Sequence, residues 1–347
     1  MAMKATHAGA VAGAVVVCLC AVVAVQVQAA VAGGDGVEGT VRTLVEAAIK
    51  GDPRLGPALL RLVFHDCWVN GCDGSVLLDT TPFNGSSGTE KAAGRNIGLA
   101  GFEVIDTIKA KLGDTVSCAD IVVLAGRDAA AVMSRGKINY TVVTGRRDGV
   151  VSSAAAAAAT LPDSVFKIGQ LKDNFAAKNF TAEELVVLSG AHAVGVSHLS
   201  SFQDRLSSSR SVSTPITAAY KAALGKDVEA QKAVQNTTDP TEPFNIRDMD
   251  AGFRNASGFD AAGVDTAAVG VLDNSFYLAN TQNMVLLRSD WELLNATDTR
   301  RKVSVLGGNA TRWEMEFAAA MAKLSNLPAE GTRFEVRKSC RSINNLN

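Results

Sequence analysis

The stretch Leu59–Ser75 constrains this chain more than any other. It reads Leu59-Leu60-Arg61-Leu62-Val63-Phe64-His65-Asp66-Cys67-Trp68-Val69-Asn70-Gly71-Cys72-Asp73-Gly74-Ser75. Arg61 and His65 are four residues apart, so a helix places them on one face. Their neighbours Leu60, Leu62, Val63 and Phe64 are apolar. A guanidinium and an imidazole inside such a run are costly to bury unless they are paired or at work. By themselves the two would also suit an arginine paired with a distant carboxylate beside a satisfied core histidine. The residues that follow shift the balance. Cys67 and Cys72 can close a tight loop, with Asp66, Asp73 and Ser75 around it. Two carboxylates, a hydroxyl and loop carbonyls suit a hard cation, Ca²⁺ best of all. The plain alternative is a solvated turn.

Histidine chemistry has few other candidates, because the chain holds only His7, His65, His192 and His198. Leu185-Val186-Val187-Leu188-Ser189-Gly190-Ala191-His192 reads as an apolar helix ending in a histidine. Alone, that is the pattern of a core histidine near a helix end.

The chain has 347 residues, enough for one large core or two lobes. Its 47% hydrophobic and 20% charged residues exclude wholesale disorder and a fibrous protein. With 34 basic and 35 acidic residues, nothing in the total charge attracts nucleic acid or an anionic membrane. Residues 1–30 have the pattern of a secretory signal. Lys4 precedes an apolar run from Ala10 to Val25, and small residues suit cleavage near Ala29 or Ala30. The run is short for a membrane anchor, and no other stretch is apolar enough to span. Cleavage would remove His7, Cys18 and Cys20. It would leave Cys67, Cys72, Cys118 and Cys340, an even number consistent with two disulfides in an exported chain. Sequons at Asn84, Asn139, Asn179, Asn236, Asn255, Asn295 and Asn309 agree with export.

Helical periodicity dominates the rest. It predicts helices over Thr40–Gly51, Pro57–Phe64, Phe102–Leu112, Phe166–Phe175, Ala182–His192 and Thr311–Leu324, and one over Cys118–Met133 interrupted at Gly126-Arg127-Asp128. Gly145-Arg146-Arg147-Asp148-Gly149 has a loop signature. The alanine-rich run Ser152–Ala159 reads as a surface segment between lobes. The expected fold is mainly α, two helical lobes with a cleft between them.

Leu60–Ser75 closely resembles the distal-haem motif of the plant secretory (class III) haem peroxidases, which usually carry Phe where Trp68 stands. Leu188-Ser189-Gly190-Ala191-His192 resembles their proximal motif. Ser117-Cys118-Ala119-Asp120, Gly145-Arg146-Arg147-Asp148, Leu161-Pro162 and Leu272-Asp273-Asn274 follow in family order, so the resemblance covers nearly the whole chain after the signal. It implies a haem peroxidase domain over 31–347, with a distal lobe about 31–160 and a proximal lobe about 161–347. On that resemblance His65 is the acid–base residue and Arg61 the stabiliser of charge as the O–O bond breaks. Asn96 orients His65, His192 binds the iron of one haem b, and Asp290 accepts from His192. Asp66, Val69, Gly71, Asp73 and Ser75 hold a distal calcium, Val69 and Gly71 through carbonyls. Pro162 sits at the substrate opening, and Asp120 pairs with Arg146. The implied disulfides are Cys67–Cys72 and Cys118–Cys340.

Departures from the family carry their own expectations. Two of its four disulfides lack both partners here: Gly34 and Leu112 stand at one, Leu199 and a residue near Leu224 at the other. Each such bridge is worth ~2–4 kcal/mol, so lower stability is expected. The proximal calcium site keeps Asp265 and Asp273, but Ala193 and Ala268 replace two threonines. One calcium is expected, with the second weak or absent. His198 has no role in the family pattern and is expected to be a surface or packing residue.

The function so implied is a secreted, monomeric peroxidase of the extracellular space or cell wall. It would reduce H₂O₂ and oxidise phenolic donors one electron at a time, with no nucleic-acid partner and no membrane span after cleavage. One rival is a non-catalytic matrix glycoprotein that keeps the fold. Another is a secreted zinc hydrolase using His65, His192 and His198, although that spacing fits no common zinc motif.

Overall fold

The computed structural model describes residues 36–81, 85, 87–207, 214–234, 245–248 and 270–344. The expected signal segment 1–30, Gly34, Asn84, Asn236, Asn255, Asp265 and Ala268 lie outside these residues.

The first four helices are α1 (Val37–Gly51), α2 (Leu55–Asn70), α3 (Phe102–Leu112) and α4 (Cys118–Met133). On α1 the spacing of Val41, Val45 and Ile49 puts all three on one buried stripe. Asp52-Pro53 ends it, since a residue before proline is pushed out of the helical region; Asp52 is extended. The same logic buries Val104, Ile105, Ile108 and Leu112 of α3. The Ser117 hydroxyl caps α4 by accepting from the Asp120 amide at 3.1 Å. From there to Ala130 every α4 residue is buried, so α4 is the axis against which α1, α2 and α3 pack. Burying a single Val, Leu or Ile side chain is worth roughly 1.5–3 kcal/mol.

Two expectations need correction here. The helix α4 runs unbroken through Gly126-Arg127-Asp128. A Cβ on Gly126 would stand 2.6 Å from Val63 Cγ1, so the glycine marks the close crossing of α4 over α2, not a break. The alanine run is also no bare linker. It forms α5 (Ala154–Thr160), capped by the Ser153 hydroxyl, and Ala157 is fully buried.

The chain continues through α6 (Ile168–Ala176), α7 (Ala182–Ser189), α8 (Gln203–Leu206), α9 (Ala218–Val234), α10 (Ser275–Thr281), α11 (Arg288–Glu292), α12 (Thr297–Gly307) and α13 (Ala310–Ser325). Reciprocal bonds between Thr181 and Glu184 start α7. It ends at Ser189, earlier than the periodicity predicts, and a 3₁₀ turn Gly190–Ala193 carries His192. Helices α10, α12 and α13 gather around α7 and its turn, while α13 and α5 also touch α2. Strands are few. β1 (Asp148–Gly149) pairs antiparallel with β4 (Phe334–Glu335), and β2 (Val196–His198) pairs with β3 (Asn245–Asp248). Cys67 is bonded to Cys72, and Cys118 to Cys340 across 222 residues. Arg146 Nη1 stands 3.0 Å from Asp120 Oδ1. No helix among the described residues is long and apolar enough to cross a membrane.

Candidate active site

On α2, Arg61 Nε donates to His65 Nε2 at 3.2 Å. The Arg61 guanidinium also reaches the carbonyls of Arg95 (3.0 Å) and Ile97 (3.4 Å). Asn96, between them, places its Oδ1 2.5 Å from His65 Nδ1 and donates from Nδ2 to the Glu90 carbonyl at 2.8 Å. That second bond fixes which end of the amide faces His65. An acceptor there calls for a proton on Nδ1, which leaves Nε2 with its lone pair. Burial first, and then the Arg61 charge, push the His65 pKa down to about 3, against the opposing pull of Asn96. His65 is therefore neutral, and able to take a proton, throughout the physiological range. Burial also lowers Arg61, to about 10, and it stays charged.

The second centre comes from the 3₁₀ turn after α7. His192 Nδ1 stands 2.8 Å from Asp290 Oδ1, and Asp290 is buried on α11. Burial pulls the His192 pKa down, but the Asp290 charge and hydrogen bond outweigh it and leave it above the ordinary value. The His192 side chain is 40% accessible. The Arg61 charge lowers the pKa of His65, His192 and His198 alike, so all three imidazoles lie within electrostatic reach of one guanidinium. Pro57, Arg61 and Phe64 on α2 are half-buried, as are Ser189, Ala191 and His192 at the end of α7 and in its turn.

Pro162 is half-buried just beyond α5. Arg95 braces its neighbours on both sides, donating to the Leu161 carbonyl at 2.7 Å and pairing with Asp163 at 3.1 Å. The loop that holds Arg61 and Asn96 is thus tied to the segment holding Pro162.

Asp66, Asp73 and Ser75 are all buried beneath α2. Asp66 accepts from the Gly74 amide (3.0 Å), and Asp73 from the Ser75 amide (2.9 Å). Burial, then the neighbouring Asp73 charge, push Asp66 up to about 8; burial pushes Asp73 to about 6. Sequence reasoning missed Glu90. It is fully buried, its Oε1 accepts from Ser75 Oγ at 2.7 Å, and its Oε2 has no partner. Arg337, also fully buried, stands nearby beside Asp148 at 3.8 Å. The acids outnumber the cation, and the oxygens suit a hard dication by donor type. No three His, Cys, Asp or Glu side chains among the described residues form a metal-binding group. The set here has two carboxylates and otherwise depends on a hydroxyl and carbonyls. The Val69 carbonyl already accepts from Lys178 Nζ at 3.1 Å, which weighs against it as a ligand. Gly71 turns the chain at φ 77°. At the proximal position, Asp273 Oδ1 accepts from the Ser275 amide at 2.9 Å, and buried Ala193 brings no side-chain oxygen.

His198 is a packing residue of a particular kind. Its ring fills the place where Gly98, at φ 72°, lacks a Cβ. The three histidines thus have separate partners, and they do not converge as a zinc triad. The sequon residues Asn139, Asn179, Asn295 and Asn309 are exposed.

This mainly helical fold, with an arginine–histidine pair on α2 and a carboxylate-bound histidine in the turn after α7, points to the class of helical peroxidases. Residues 41–309 match the model of the peroxidase family. Peroxidase 2 of Zea mays is 38% identical over 314 residues, 88% of this chain and 85% of that relative. Peroxidase 22.3 of Oryza sativa subsp. japonica is 34% identical over 311 residues, 88% and 87% of the two chains. Peroxidase 5 of Vitis vinifera is 36% identical over 301 residues, 84% and 83%. The chain belongs to the peroxidase family, on its plant class III branch, and is an H₂O₂-dependent oxidoreductase. Membership implies haem, and it implies H₂O₂ and an electron donor as substrates.

Proposed function

We propose that this peroxidase is secreted and uses one haem b, bound through His192 Nε2, to oxidise small phenols at the expense of H₂O₂. One observation carries the reading. His65 and His192 each commit Nδ1 to a side-chain oxygen, Asn96 Oδ1 at 2.5 Å and Asp290 Oδ1 at 2.8 Å, which calls for the proton on Nδ1 and leaves the lone pair on Nε2. An accessible imidazole whose Nδ1 is held by a buried carboxylate suits a haem-iron ligand, so His192 would hold the haem. Bound there, haem would supply the redox equivalents that cleave peroxide and are then returned by donors. His65 Nε2 takes the proton from the near peroxide oxygen and delivers it to the leaving one. Arg61 stabilises the negative charge that develops on the leaving oxygen. Asn96 holds His65 in the working tautomer, and Asp290 makes His192 more electron-donating. Pro162 borders the opening through which the donor approaches.

One calcium belongs beneath α2, held by Asp66, Asp73, Ser75 and the carbonyl of Gly71, with Val69 contributing if Lys178 withdraws. The excess of buried acids over Arg337 and the orphaned Glu90 Oε2 support it. A proximal calcium at Asp265 and Asp273 is weak or absent. The division into a distal lobe of 31–160 and a proximal lobe of 161–347, the monomeric state and a wall or extracellular location complete the proposal. Glycans belong at one or more of Asn139, Asn179, Asn295 and Asn309. Turnover of a small phenol with H₂O₂ tests the reading: the wild type turns over and Arg61→Leu and His65→Ala do not. Equal rates in all three would remove the assigned roles. Absence of turnover in haem-loaded protein would favour a matrix glycoprotein that keeps the fold.

A further inference from the structure

We propose that Trp291 is a second oxidation site, through which phenolic polymers too bulky to approach the His65–His192 site are oxidised at the protein surface. The proposal rests on His192 as the haem ligand.

Indole and phenol rings are the most readily oxidised aromatic side chains, and this chain has six of them, three Trp and three Tyr. Trp68, Trp313, Tyr140, Tyr220 and Tyr277 are all buried. Trp291 alone keeps part of its ring accessible, half-buried on α11. It is also the residue next to Asp290, whose carboxylate meets His192 Nδ1 at 2.8 Å. One peptide unit and one hydrogen bond therefore join a half-buried indole to His192.

The other rings near His192 fail on chemistry. The Phe276 ring centre lies 6.2 Å from His192, but a phenyl ring gives up an electron far less readily. Behind it, Tyr277 donates to the Val186 and Val187 carbonyls (2.9 and 3.1 Å), and Trp313 to Val187 (3.2 Å). An oxidised phenol must lose its proton, and a peptide carbonyl does not take it. A cationic ring buried there would also go unpaired. No donor molecule reaches either one. Trp291 Nε1 donates to Asn283 Oδ1 at 3.1 Å. An amide is no base, so the indole keeps its proton and passes electrons alone.

The step balances. The enzyme already oxidised by H₂O₂ takes one electron from Trp291, leaving an indole radical cation. A phenol of the polymer returns one electron to the ring and releases its proton to solvent. The phenoxyl radical stays on the polymer. Two such cycles per H₂O₂ give two waters and two phenoxyl radicals.

The test compares haem-loaded wild type with Trp291→Phe and Trp291→Tyr. Each is mixed with one equivalent of H₂O₂ without donor, frozen, and read by electron paramagnetic resonance. Turnover is then measured on a small phenol and on a phenol-grafted soluble polymer. A tryptophanyl radical in wild type and its loss in Trp291→Phe support the proposal. So does a drop of about tenfold or more on the polymer alone, with the small phenol unaffected and Trp291→Tyr restoring polymer turnover. Full polymer turnover by Trp291→Phe overturns the proposal, as does an equal loss on both donors. If wild-type haem does not respond to H₂O₂, the reading of the His65–His192 site fails, and this proposal with it.

Discussion

Asn96 Oδ1 stands 2.5 Å from His65 Nδ1 while the same amide donates to the Glu90 carbonyl. The two contacts make the amide an oriented acceptor and His65 an oriented base. Asn96→Val removes both, so His65 can turn or change tautomer. The rate of reaction with H₂O₂ is expected to fall by about 10–100-fold, the range for losing the group that orients a working histidine. Stopped-flow mixing with peroxide measures it, and an unchanged rate would show that His65 needs no orienting partner.

The acid limb of the same reaction follows from the His65 pKa, held at about 3 by burial and by Arg61. The neutral base persists above that value, so the rate should stay level from neutrality to about pH 4 and fall only below it. Arg61→Leu deletes a charge that disfavours the imidazolium. The limb should then move to higher pH while the plateau drops. A limb that stays in place or moves lower would contradict this cause.

Asp290 makes His192 a stronger electron donor. Asp290→Asn keeps the shape and removes the charge. The reduction potential of the loaded enzyme should rise, and its peroxide rate should fall by about 10–100-fold. Spectroelectrochemical titration checks the first and stopped flow the second. An unchanged potential would deny the coupling.

Removing calcium should disturb chemistry as well as stability. Ser75 donates to Glu90, and the Glu90 backbone in turn holds Asn96. A chelator is therefore expected to lower the melting temperature and slow the peroxide reaction together, with both restored by added Ca²⁺. Melting and rate that ignore the chelator, in protein shown by metal analysis to have lost its calcium, would uncouple the two sites.

The Cys118–Cys340 bridge ties the start of α4 to the C-terminal segment across 222 residues. Replacing both cysteines by alanine should cost about 2–5 kcal/mol in reversible denaturation. A loss below that range would mean that the paired contacts of Asp148 and Arg337 hold the segment without it.

The placement of the candidate residues was legible because its signals are local: Arg61 and His65 share a helix face, and the apolar run into His192 is continuous. Helices with a clear apolar stripe, α1 and α3, were legible for the same reason. What escaped depends on distant partners. Gly126 reads as a helix breaker until Val63 lies against it. The alanine run has no periodic contrast, and a Ser153 cap together with burial of Ala157 makes it α5. Glu90 carries no motif, and its importance comes from Ser75 and Ser152, 15 and 62 residues away. The contact of His198 with Gly98 joins segments that no spacing rule relates. The bond between Lys178 and the Val69 carbonyl is likewise invisible to a motif that names Val69 a ligand.

The central claim is that His192 holds haem iron opposite a working Arg61–His65 pair. The most direct test is the absorbance spectrum of the protein from haem-replete cells, before and after one equivalent of H₂O₂. A high-spin ferric Soret band that bleaches and shifts on addition is the expected result. A haem band indifferent to peroxide would contradict the roles of Arg61 and His65, and protein free of haem would contradict the site altogether.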